Sequence, residues 1–74
     1  MVLEFLRECL CDRFGCEEET VYLSASFDEL NIRFGELAEL AMLLNERFGV
    51  DIPDDALDSF VLVEDMVGYT EDRL

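Results

Sequence analysis

Three thiols stand close together near the start of this 74-residue chain, at Cys9, Cys11 and Cys16. Disulfide formation and metal ligation are the two chemistries such a group offers. An odd number of cysteines argues against a disulfide framework. A single Cys-x-Cys, with no histidine and no second pair, cannot close a four-ligand zinc site. Cys9 falls on an apolar stripe and Cys16 follows a helix end, so both read as small hydrophobic residues. The 19 Asp and Glu residues offer acid–base chemistry only where burial separates the pKa values of two of them, and here they read as solvated. Asp51, Asp54, Asp55 and Asp58 could gather a divalent cation loosely, but they lack the pattern and central glycine of a calcium loop and read as a charged helix face. Ser24 and Ser26 lie in a connection, where hydrogen bonds to nearby backbone account for them. With no histidine, no lysine and no nucleophile that reads as buried, the chain is not expected to be an enzyme, and no metal is expected.

The net charge of −14 narrows the partners. Phosphate backbones and anionic lipid repel such a surface, so neither nucleic acid nor membrane is an expected partner. A protein with a basic patch would be attracted, at a rate that falls with salt. Because 51% of the residues are hydrophobic, the charge does not mark a solvated tail. A single domain over residues 1–74 is expected, of modest stability and monomeric. The first residues lack the basic start of a signal peptide and no apolar run reaches 18 residues, which sets the expectation of a cytoplasmic protein.

The elements follow from spacing. Leu3, Leu6, Leu10 and Phe14 repeat at three and four, predicting a helix over 2–14 that Gly15 ends. Glu17–Glu19 read as a solvated loop, and Val21, Leu23 and Phe27 as the anchors of a long connection reaching about Leu30. Ser26-Phe27-Asp28-Glu29 has the form of a capping box. A second helix carries Leu37, Leu40, Ala41, Leu44 and Phe48 on one face and stops at Gly49. Its beginning is odd: neither Phe34 nor Gly35 can cap amides, and Asn31 is the nearest good cap. Pro53 is expected at the first position of a short third helix. Phe60 and Leu62 link it to a last helix bearing Val63, Met66, Val67 and Tyr69, with 71–74 frayed. Met42 and Met66 read as fillers of the core. The fold class expected is all-α, a bundle of three main helices plus one short helix.

Taken together, Phe14-Gly15-Cys16, the segment Ala25–Leu30, Glu39-Leu40 and above all Glu46-Arg47-Phe48-Gly49-Val50-Asp51-Ile52-Pro53-Asp54 resemble the acyl carrier proteins. These are small acidic helical proteins that carry acyl groups on phosphopantetheine. Phe60, Val63, Val67 and Tyr69 fall at the spacing of the family's fourth helix. The family places Asp-Ser-Leu at the start of the second helix, where the serine takes the prosthetic arm. Counting back from Phe48, those places hold Arg33, Phe34 and Gly35, and phenylalanine has no hydroxyl with which to form the phosphodiester. A shift of one or two residues finds no serine, threonine or cysteine. Asp58-Ser59-Phe60 mimics the motif, but too few residues follow Ser59 for the remaining helices.

The resemblance therefore implies a carrier fold of fatty-acid, polyketide or related acyl metabolism without 4'-phosphopantetheine at the usual site. No cofactor is expected. Such a protein would dock on basic-surfaced enzymes of acyl metabolism to regulate, compete with or scaffold true carriers, through Arg33, Phe34, Glu36, Glu39 and Glu46. Phe34 has two readings, as a core residue folded over the bundle end or as an exposed anchor among Asp28, Glu29 and Glu36. Two further functions stay open. One is a working carrier with a displaced or altered attachment site, which would bear 4'-phosphopantetheine. The other is an unrelated small acidic interaction protein that shares only the bundle.

Overall fold

The computed structural model describes all 74 residues. Helix α1 spans Val2–Phe14, α2 Phe34–Phe48, α3 Asp54–Leu57 and α4 Val63–Asp72, with a single 3-10 turn at Glu18–Thr20. Three long helices and one short one thus form the bundle that the periodicity predicts. Val2, Leu6 and Leu10 from α1, Leu37, Leu40, Ala41 and Leu44 from α2, Leu57 from α3, and Val63, Met66 and Val67 from α4 meet in one core. Leu3, Phe14 and Phe48 sit half-buried at its edge, as do Cys9 and Cys16. Gly15 and Gly49 end α1 and α2 with φ of 71° and 68°, left-handed values that any β-carbon would strain.

The long connection between α1 and α2 is anchored at Val21, Ala25 and Phe27. Leu23, expected as an anchor, is exposed. Its backbone explains this: residues 23–27 run antiparallel to 61–64. Phe27 N–H donates to Val61 O at 3.0 Å, Val63 N–H to Ala25 O at 2.8 Å and Glu64 N–H to Leu23 O at 2.9 Å. Ala25 and Phe27 face the core, while Leu23 lies in the tight turn before them, which Ala25 N–H closes by donating to Tyr22 O at 3.0 Å, and its side chain stays outside. Arg7 of α1 adds a second tie, donating from Nε at 3.0 Å and Nη2 at 2.9 Å to Val21 O. The acidic run is not a plain loop, since Glu18 and Glu19 belong to the 3-10 turn, although both are solvated.

Pro53 stands one residue before its expected place, flanking α3 rather than opening it. At the other end, α4 continues through Asp72, so the polar tail is helical two residues further than expected. Thr70 is buried there, its hydroxyl donating to Met66 O at 2.8 Å. No helix is long and apolar enough to cross a membrane.

Candidate functional site

The approach to α2 is built from two turns that pair backbone with side chain, the first of them reciprocal. Ser26 N–H donates to Glu29 Oε1 at 2.8 Å, and Glu29 N–H donates back to Ser26 Oγ at 3.0 Å, the capping box read from the sequence. Asn31 does not cap α2. It is instead the residue that turns the chain, at φ 60°, a conformation asparagine tolerates better than most side chains. Arg33 flanks the helix, and its N–H donates to the Glu36 carboxylate at 2.7 Å. Glu36 thus satisfies the chain from inside the first turn and places a negative charge at the positive end of the helix dipole. That arrangement explains how a helix can begin at Phe34-Gly35 without a capping residue before it.

Phe34 is the first helical residue, and 53% of it is exposed. The core reading of Phe34 does not hold. Along the same edge, at steps of four, come half-buried Ala38 and then Met42, which is 62% exposed. Met42 was expected in the core with Met66. Only Met66 is there, fully buried. The helical angle decides it: Met42 lies five positions after Leu37, about 140° around the cylinder, whereas Leu37, Leu40, Ala41 and Leu44 share the inner face.

The expected partner-binding residues do not all share this edge. Arg33 and Glu46 are exposed. Glu36 is occupied by the cap. Glu39 pairs with Arg13 of α1 at 2.8 Å, both side chains about half solvated. A bridge so exposed contributes little stability, but it partly neutralises Glu39. Asp28 and Glu29, the acids expected near Phe34, are exposed.

An open cleft of about 440 Å³ lies beside this end of α2, with Phe14, Cys16, Thr20, Glu29, Ile32 and Glu36 in its walls. Its two nucleophilic groups are both subdued. Thr20 Oγ1 donates to Glu17 O at 2.6 Å. Burial, and secondarily the neighbouring Cys11, push the Cys16 thiol above its ordinary pKa, away from the reactive thiolate. The thiols of Cys9 and Cys11 are raised too, in each case chiefly by desolvation. Ser59 serves its own turn, donating to Ala56 O at 2.8 Å. From Phe27 to Asp58 the sequence holds no serine, threonine or cysteine at all. No three side chains of Asp, Glu or Cys gather closely enough to hold a metal ion.

The family described as "Phosphopantetheine attachment site" matches residues 4–70. The chain belongs to that family. Its curated relatives include the acyl carrier protein of Sinorhizobium fredii strain NGR234 and acyl carrier protein AcpP of Rhizobium meliloti. Each is 39% identical over 71 residues, or 95% of this chain and 91% of the relative. The acyl carrier protein of Rubrobacter xylanophilus is 38% identical over 92% of this chain and 85% of its own length. Among solved structures, the acyl carrier protein of Thermotoga maritima matches 97% of this chain and 85% of that one, with a TM-score of 0.86 at 21% identity. At that identity the likeness establishes the fold, in agreement with the four-helix order above. This member of the family is an acyl-carrier-protein-like protein of acyl metabolism and not an enzyme.

Proposed function

We propose that this protein is an unprimed member of the family, which docks on enzymes of acyl metabolism without carrying phosphopantetheine at the start of α2. The observation that carries the reading is Phe34, exposed at the first helical position, fourteen residues before Phe48, where the resemblance puts the attachment serine. Arg33, Phe34 and Gly35 offer no oxygen or sulfur nucleophile, so this end of the helix does not fit a phosphodiester-linked arm. A displaced site gains no support from the neighbourhood, because the Thr20 hydroxyl is engaged and the Cys16 thiol is raised. Docking needs only a folded surface, and on α2 exposed Glu46 follows Phe34, Ala38 and Met42 at the same step of four.

Intact mass tests the reading. The protein is incubated with coenzyme A and a broad-specificity phosphopantetheinyl transferase, and its mass should not change. Phe34→Ser, which restores a hydroxyl at an exposed position, should gain one phosphopantetheine. An added phosphopantetheine on the unaltered protein would overturn the proposal and favour a carrier with a displaced site.

A further inference from the structure

Two large apolar side chains, Phe34 and Met42, stand exposed two turns apart on one edge of α2, with Ala38 half-buried between them. Other exposed apolar residues, such as Tyr22, Leu23 and Val61, lie in or beside the short backbone ladder between the helices and present no helical ridge. The flanks of the Phe34–Met42 edge carry charge. Glu39 stands three residues before Met42, and exposed Glu46 stands one turn after it. Beyond them the whole surface is acidic, at −14. A second copy of the chain would bring two such surfaces together, and an anionic lipid surface would be repelled as well. The complementary surface is a protein with an apolar pocket bordered by Lys and Arg.

Resting on the unprimed reading above, we infer that Phe34 and Met42 anchor this chain in the carrier-docking surface of enzymes that act on phosphopantetheine carriers. Bound there, it excludes the true carrier and acts as a competitive blocker. Phe34 occupies the point from which an arm would leave, so it fills the mouth of the partner's site with a ring and delivers no thiol. An aromatic anchor flanked by exposed acids is the arrangement expected of a hot spot with a steering rim. Two exposed arginines are mismatched to a basic rim, Arg33 beside Phe34 and Arg47 beside Glu46, and they hold affinity below what the anchors alone would give.

The test uses the full chain as inhibitor. A broad-specificity phosphopantetheinyl transferase primes the Sinorhizobium fredii acyl carrier protein with coenzyme A while increasing amounts of this protein are added. Competitive inhibition is expected, weakening as NaCl is raised. Phe34→Ala and Met42→Ala should each raise the inhibition constant about tenfold or more, with helical circular dichroism unchanged. Arg33→Asp should lower it, and Glu71→Gln, at the far end of α4, should leave it within about twofold of the parent. Absence of inhibition, or equal inhibition by the parent, Phe34→Ala and Met42→Ala, would sink the blocker. The intact mass of this protein in the same reaction separates the two claims. A mass gain defeats the unprimed reading itself, whereas an unchanged mass without inhibition defeats the blocker alone.

Discussion

Glu36 shows how a single residue can replace a missing cap. Its carboxylate accepts from Arg33 N–H at 2.7 Å while lying near the positive end of α2. Glu36→Ala should therefore cost about 1 kcal/mol, the usual magnitude of a lost cap. In a domain of this size that lowers Tm by about 4–8 °C, which thermal denaturation will read. Phe34→Ala should leave Tm nearly unchanged, because the ring is more than half in solvent. A drop as large as that of a core truncation would return Phe34 to the core. The thiols give a further test at this scale. Desolvation raises all three in the folded state, so the folded protein favours the protonated form. Their contribution to stability is complete below the ordinary thiol pKa of about 8.5. It is lost as pH climbs from there through the raised folded values, since the unfolded chain ionises first. Alkylation by iodoacetamide at neutral pH should be slower on the native protein than in urea. Equal rates would show that the thiols are neither shielded nor shifted.

Among the elements, the helices were the most legible in the sequence, and the connections the least. Apolar steps of three and four place α1 and α2, and Gly15 and Gly49 end them, because those signals are local. Asn31, Leu23 and Met42 show where such reasoning stops. Asn31 is a good cap by type, but the chain spends it on a left-handed turn. Leu23 is apolar enough to anchor, yet the turn closed by Ala25 N–H on Tyr22 O holds it at the surface, and apolar type alone does not reveal that turn. Methionine suits a core, although the angle of Met42 on the cylinder takes it away from that face. Phe34 was ambiguous for the same reason: hydrophobicity draws it inward, and only the place where α2 begins shows that it stays out. Gly49 supplies the test at this scale. At φ 68° a β-carbon would meet no atom within 4 Å, so space is not the obstacle. Gly49→Ala should still cost about 1 kcal/mol from backbone conformation alone, measurable as a lower urea midpoint with unchanged slope. A neutral result would mean that the end of α2 relaxes out of the left-handed conformation.

For the whole molecule, size and charge set opposite responses to salt. The Cα framework measures only 27 × 23 × 20 Å and bears a net −14. At 0.01 M ionic strength the Debye length is about 30 Å, longer than the molecule, so nearly every carboxylate feels every other. By 0.15 M it falls to about 8 Å, and repulsion shrinks to near neighbours. The favourable charge pairs are few and exposed, Arg13–Glu39 and the amino terminus with Glu4, so screening them sacrifices little. Tm should therefore rise by several degrees between 10 and 150 mM NaCl, an effect on the order of 1 kcal/mol at the scale of a small domain. Binding to a basic partner should move the other way, because the same screening removes the attraction that steers the two surfaces together. Measured on one preparation, a more stable protein that binds more weakly as salt increases is the expected pair of trends. If the two rose together, the apolar edge of α2 would dominate recognition, and the acidic surface would have to be explained by solubility alone.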